Sequence, residues 1–299
     1  MQNPNLLFVN DFQGKSMYIY NAQNKLSYKL SMPNVLGDIQ VLNNGTTIFS
    51  VVGESVNIYE SSTLKLIKSI TLYSTDICLK ISNDQTQLFI SYPNTIISID
   101  TTTFEKINNC TISGIPYREI FVSADNNSVA FITEAKAVGC LTVSTGKTKY
   151  ISSIGNDVVK GVCVNSDFKT MYISTQNMQS MTYEIKLVDI SKMEFSNPIQ
   201  MTGENAYCGS LYYNSSNNSL YLGSAGVSGV SGKLGILNLT TGAYSSIVMP
   251  LVSNDMGGTY HMNPEGMVSA DNITAYVEGQ TPFNPLVMLD LTKNTVLCT

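Results

Sequence analysis

The sequence predicts an all-β fold, a β-propeller of seven four-stranded antiparallel blades, on three observations. First, a unit of apolar strand, short Ser/Asn/Asp turn and second apolar strand recurs six times. The copies are VLNNGTTIFSV with its turn at Asn43, LKISNDQTQLFIS at Ser82, FVSADNNSVAFIT at Ser123, VCVNSDFKTMYIS at Asn165, LYYNSSNNSLYLG at Asn214 and MVSADNITAYVEG at Ser269. Second, these turns are spaced by 39, 41, 42, 49 and 55 residues, the length of one propeller blade. Third, apolar and polar residues within each copy alternate with the period of two that a strand requires.

Taken in chain order, residues 1–33 supply LLFVND, SMYIYNA and KLSYKLS, which read as the second, third and fourth strands of a first blade that lacks an inner strand. Six complete blades follow at about 34–72, 73–114, 115–154, 155–203, 204–251 and 252–299. In the third blade the strands run from inner to outer as DICLKIS, QLFISYP, TIISIDTTT and FEKINNCTI. Ser and Asn occupy the turn after the first strand because their side chains bond the local backbone and tolerate left-handed conformations. A second such turn closes the third strand: IYNAQN at Tyr20, IYESST at Tyr59, SIDTTT at Asp100, LTVSTG in the fourth blade, VDISKM at Asp189, LNLTTG at Asn238 and LDLTKN at Asp290. The C-terminal VLCT reads as the outer strand of the last blade, so the inner position of the first blade stands open, an exposed edge that something should fill. Three explanations compete: a sequence cut from a longer chain, a one-strand slip of labels near a terminus, or a strand donated by a partner.

Repeat architectures of 299 residues often form one domain, and 1–299 is read here as a single propeller. Hydrophobic residues make up 43% of the chain, yet no run approaches the roughly 18 apolar residues needed to span a bilayer, and the N-terminal MQNPNLLFVNDFQGK has no secretory-signal pattern. Charged residues are only 13%, about half the usual share, and the net charge is −5 without a Lys/Arg cluster, which argues against nucleic-acid binding. Ser, Thr and Asn fill the polar positions, a surface commoner on extracellular or cell-surface β proteins than on cytoplasmic ones. Cys78, Cys110, Cys140, Cys163, Cys208 and Cys298 are scattered over five blades with no CxxC pair, and they are expected as free core thiols rather than disulfides or zinc ligands. Seven N-x-S/T sequons occur, at Asn44, Asn109, Asn126, Asn214, Asn217, Asn238 and Asn272.

The stretch IDTTTFEKI…GIPYREIFVSADNNSVAFIT resembles the surface-antigen propeller repeats called YVTN repeats, in which a V-x-D-x-x-T turn precedes a G-x-x-P-x-x-I segment and an S-x-D-G turn. The resemblance runs in pattern from about Val35 to Thr299. Pro116 matches the proline of the repeat, while Gln85 and Asn126 stand where the repeat has glycine, and the YVTN tetrapeptide is absent. It implies a seven-bladed propeller of the lactonase-like group. The absence of tryptophan argues against WD-repeat and quinone-cofactor propellers.

Two places are candidates for a site. Extra length is concentrated in the connections from second to third strand and from one blade to the next: Asn177–Thr182, Ala225–Lys233, Val252–Pro264 and Gly279–Pro285. Loop insertions gathered on one face are where repeat proteins carry their binding surface, with Tyr260, His261 and Phe283 as the aromatic and polar anchors. The other candidate is the mouth of the central channel, where counting back from each turn places Asp38, Asp76, Arg118, Glu119, Lys160 and Glu265. Mixed charges there either form ion pairs around a water-filled hole or orient a small polar ligand or hard cation. His261 is the only histidine, and no Ser-His-Asp order, HExxH, phosphate loop or calcium motif is present, so neither a cofactor nor a dedicated metal site is expected.

The function expected is therefore a non-enzymatic binding or assembly module, extracellular or at the cell surface, with a protein or glycan partner. Two alternatives remain: a lactonase-like hydrolase using His261, Glu265, Arg118 and Asp76, or a structural subunit whose first blade is completed by a strand from a neighbour.

Overall fold

The computed structural model describes residues 6–11, 16–21, 26–31, 36–42, 44–151, 154–201, 209–224, 233–248, 252–253, 259–260, 265–268, 274–278, 286–290, 293 and 295–298. Side chains are described for 37–42, 44–117, 119–151, 154–201, 209–223, 233–248 and 293. All regular structure among these residues is β-strand, in consecutive antiparallel sheets. The first sheet has three strands, Leu6–Asp11, Ser16–Asn21 and Leu26–Ser31, in that order. The second is Leu36–Val41, Thr47–Val52, Ser55–Glu60 and Leu66–Thr71; the third is Cys78–Ile81, Gln87–Tyr92, Thr95–Asp100 and Lys106–Thr111. The fourth comprises Pro116–Val122, Ser128–Thr133, Val138–Thr142 and Lys147–Ile151. The fifth comprises Val158–Val164, Thr170–Asn177, Thr182–Asp189 and Glu194–Met201, and the sixth Leu211–Asn214, Ser219–Ser224, Lys233–Asn238 and Tyr244–Val248. The seventh is Glu265–Val268, Thr274–Glu278, Leu286–Asp290 and Thr295–Cys298.

Each of these sheets pairs its strands in sequence order, as the alternation predicted. Val252–Pro264, expected as a plain loop, contains a two-stranded ladder, Val252 opposite Tyr260 and Ser253 opposite Thr259. The backbone divides into two compact units, Met1–Ser153 and Ile154–Thr299.

The middle strands of a sheet are buried on both faces. Thr47–Val52 is buried at every position, whereas the outer Leu66–Thr71 is largely exposed. Sheet three is covered from both sides. Leu88 and Ile90 pack with Phe49, Val56 and Ile58 of sheet two, while their neighbour Phe89 packs with Val129, Phe131 and Leu141 of sheet four. Successive strand residues point to opposite faces, so one segment joins two inter-sheet cores. In the second unit Tyr183 and Ile185 of sheet five meet Leu211, Leu220 and Leu222 of sheet six in the same manner. Gly139 lies directly opposite Phe131, and a Cβ there would come within 2.5 Å of the ring, so the glycine makes room for the aromatic side chain that covers it.

One end of the sheets carries a repeated turn geometry. Between first and second strands, Gly45, Gln85, Asn126, Phe168 and Asn218 all take positive φ; between third and fourth strands, Leu64, Phe104, Gly146, Met193 and Gly242 do the same. Gln85 and Asn126, noted above as replacing glycine, thus occupy the left-handed positions that glycine favours. Phe104 offsets its backbone strain by packing edge-on against Phe49 of the preceding sheet, with ring centroids 6.3 Å apart. In sheets two to six the two turns are also joined. Ser61, Thr101, Val143, Ile190 and Leu239 donate their amides to Thr46, Thr86, Asn127, Lys169 and Asn218.

Candidate functional site

The first strands place the predicted channel charges. Three of them carry a register shift, between Leu36 and Ile39, between Pro116 and Ile120, and between Val159 and Gly161. Asp38, Arg118, Glu119 and Lys160 all fall inside these bulged stretches. A bulge supplies an extra residue whose side chain is turned out of the regular alternation, which is how a strand aims a polar group away from its own core.

In the first unit, Leu36–Val41 lies beside Cys78–Ile81, which in turn lies beside Pro116–Val122. The half-buried carboxylate of Asp38 accepts the amide of Leu79 at 2.8 Å, and the Gln40 amide oxygen accepts Ile81 N–H at 3.5 Å. Leu79 and Ile81 are alternate residues on a strand with no further β partner on that side, so sheet two satisfies the open edge of sheet three with side chains. Lys80, between them, extends to Glu119 of sheet four at 3.1 Å, with its ammonium 5.8 Å from the centre of the Phe121 ring. Asp38 and the Lys80–Glu119 ion pair thereby put three charges on the first strands of three consecutive sheets, with Asp38 and Lys80 coupled electrostatically. Burial pushes the Asp38 carboxyl up to about 6, with the Leu79 amide and Lys80 opposing and Glu119 adding to the rise. The Glu119 charge holds the Lys80 ammonium above its ordinary range, against the effect of burial.

Asp76 is exposed in the connection ahead of Cys78. Lys160 is half-buried on the first strand of sheet five. The backbone of Glu265 begins the first strand of sheet seven, and Tyr260 ends the short ladder before it. The side chains of Arg118, Tyr260 and Glu265, and all of His261 and Phe283, lie outside the described residues.

The sequence reading missed Lys80, Gln40 and Phe121. Lys80 is the one polar residue of the first strand CLKI, a signal that was available, whereas Gln40 and Phe121 sit in strands of mixed composition and do not stand out. It also missed a cluster on sheet five. Lys186 Nζ lies 3.0 Å from Asp157 and 2.9 Å from Glu184, and donates to the Ile154 carbonyl at 3.2 Å. Gln200 donates to the other Glu184 oxygen at 2.8 Å. Burial alone would lower the Lys186 pKa, but the hydrogen bonds to Glu184 and Asp157 outweigh it and raise it. Asp157 precedes the first strand while Glu184 and Lys186 lie on the third, so no local motif announces the group.

The predicted loop Asn177–Thr182 is a tight four-residue turn closing the long second and third strands of sheet five. Ala225–Lys233 and Gly279–Pro285 lie outside the described residues apart from Lys233. Cys78, Cys110, Cys140 and Cys163 are free thiols, and burial pushes Cys78 up to about 12. Among the described residues no group of His, Cys, Asp and Glu is arranged to hold a metal ion, and no helix is long and apolar enough to cross a membrane. The sequon residue Asn214 is fully buried, its side-chain Oδ1 accepting Ser216 N–H and Oγ–H, so it is not available for glycosylation in the folded chain.

No family model matches the sequence, and no curated protein is similar enough to count as a relative. Solved structures do match. A functionally unknown protein from Desulfotomaculum acetoxidans DSM 771 superposes with a TM-score of 0.71 at 11% identity, covering 98% of this chain and 94% of that one. A chain of the mitotic checkpoint complex gives 0.71 at 14% identity, with 93% and 82% covered. Hydrazine synthase of Kuenenia stuttgartiensis gives 0.66 at 15% identity, with 85% and 76% covered. The hydrazine synthase and checkpoint-complex matches are β-propeller-like, and at such low identity the likeness carries the fold alone: this chain has an all-β, β-propeller-like fold of repeated antiparallel sheets.

Proposed function

We propose that the chain is a single seven-bladed propeller acting as a binding and assembly module outside the cell or at its surface, with no chemistry of its own. The observation that supports this reading is the contrast between the two ends of the sheets. The end bearing the first-to-second and third-to-fourth turns repeats one geometry in five sheets. At the opposite end the second-to-third connections range from the tight Gly53–Glu54 turn to the longer insertion at 225–232. An end free to vary is where repeat proteins place recognition. A protein or glycan partner would be engaged by the connections of the last three sheets, with Tyr260, His261 and Phe283 as anchors. The test replaces 225–232 with a short turn and compares cross-linked partners recovered by the two proteins. Partners lost in the variant, with its unfolding midpoint unchanged, support the reading; equal recovery overturns it.

A second reading, assembly by strand sharing, draws on the three-stranded first sheet, whose edge strand Leu6–Asp11 is its first. Multi-angle light scattering over a wide concentration range tests it. Concentration-dependent multimers favour strand sharing, and a monomer throughout removes it.

A further inference from the structure

We propose that Met178 and Met181 form a site for a soft monovalent cation of the Cu(I) or Ag(I) type. This goes beyond the binding-module reading and does not depend on it. Asn177 and Thr182 are the last paired residues of the second and third strands of sheet five, so the two methionines are the first and last residues of the four-residue turn between them. Residues at i and i+3 of a tight turn have Cα atoms within about 7 Å, close enough for two flexible thioether side chains to reach one ion.

The turn is held in place independently of any ligand. Asn177 Oδ1 accepts the amides of Gln179 at 3.0 Å and Ser180 at 3.1 Å, the Ser180 and Thr182 hydroxyls are 2.7 Å apart, and Met181 is fixed at a φ of 55°. The Met181 sulfur is oriented by the side-chain amide of the buried Gln176, which donates to it at 3.8 Å and leaves the second sulfur lone pair open. Met178 and Met181 are 57% and 59% exposed, whereas Met171 and Met201 of the same sheet are buried at 0% and 6%. Sheet five thus uses methionine both as core filling and, at this tip, as a pair of exposed side chains.

Thioethers are soft ligands that select Cu(I) over Zn(II) or the hard alkaline-earth ions. Three of the four described thiols are poorer soft ligands than an exposed cysteine. Burial raises the thiols of Cys78, Cys110 and Cys140, which keeps them protonated.

The test labels the methionine ε-methyl groups with 13C and titrates the whole chain with silver(I) in chloride-free buffer. Met178→Leu and Met181→Leu assign the two resonances, and because both side chains are exposed the variants retain the fold. The expected result is that these two methyls shift together and by more than the other methionines, that Zn(II) leaves them in place, and that each single variant measurably weakens Cu(I) binding in competition with bicinchoninate. If neither methyl moves at excess silver, or one moves while the other stays, there is no shared site and the proposal is overturned.

Discussion

Asp38 and Asp84 belong to neighbouring sheets of the same unit, yet their carboxyls move in opposite directions. Asp38 lies on the first strand of sheet two, half-buried, and burial pushes it up to about 6. Asp84 lies in the exposed first turn of sheet three, where the Ser82 hydroxyl, the Thr86 amide and the Asn126 side chain donate to it and hold it down to about 2. Asp125, in a turn, and Asp100 and Asp189, at the strand ends that lead into turns, are shifted downward for the same reason. The difference teaches that the turns are built to stabilise a carboxylate, whereas the strand edge uses a carboxylate to satisfy a neighbouring amide at the expense of its own solvation.

The largest expected effect comes from removing the strand-edge charge. The folded chain keeps a proton on Asp38 up to about pH 6, whereas the unfolded chain loses it near the ordinary 3.8, so stability from this group falls as pH rises through that window. Asp38→Asn keeps an oxygen for the Leu79 amide without the charge. It should raise stability at pH 7–8 by up to about 3 kcal/mol and leave it nearly unchanged at pH 3, measured by urea unfolding at both pH values. A variant no more stable than the parent at pH 8 would break the contrast.

Lys80 sharpens it. Because the Lys80 charge lowers the Asp38 pKa, Lys80→Met should move the Asp38 titration above 6, read from its carboxyl carbon resonance. An unmoved titration would show that Lys80 attends to Glu119 alone.

The turn acid should behave in the opposite sense. Because Asp84 is exposed and screened by solvent, Asp84→Asn should cost no more than about 1 kcal/mol at neutral pH, a loss that disappears as pH falls through the interval between 3.8 and about 2, where the parent gives up the same stabilisation. Chemical unfolding at pH 7 and pH 2 measures both ends. The smallest effect belongs to the residue after it. Gln85 has a φ of 64°, and Gln85→Gly should stabilise the turn by about 0.5 kcal/mol, whereas Phe104→Gly should destabilise because the Phe104 ring also packs on Phe49. Equal signs for the two substitutions would mean that backbone strain, not packing, decides both.

Much of this was legible in the residues. The Ser82 turn between LKI and QLFISY was legible because Ser, Asn and Asp bond their own backbone, whereas the period-two alternation read there did not announce that Leu88–Ser91 is buried on both faces. Counting back from the turns puts Asp38, Arg118, Glu119 and Lys160 on first strands, and in the structure these positions fall at first-strand bulges. Their partners were not legible. Lys80 pairs with Glu119 from 39 residues away, and Lys186 gathers Glu184 of its own strand and Asp157 from ahead of the first strand.

The sequence by itself determined the local terms: strand periodicity, turn chemistry, the length of a repeat, and hence an all-β chain of consecutive hairpin-linked sheets. These follow from interactions within a few residues, which every copy of the repeat restates. Only the tertiary structure decided which side chain of one sheet faces which amide of the next, that Phe89 and Leu88 serve different cores, and that one aspartate is stabilised as an anion while its neighbour is not. Those outcomes depend on burial and on distances between residues about forty positions apart, and both are set when the sheets pack face to face.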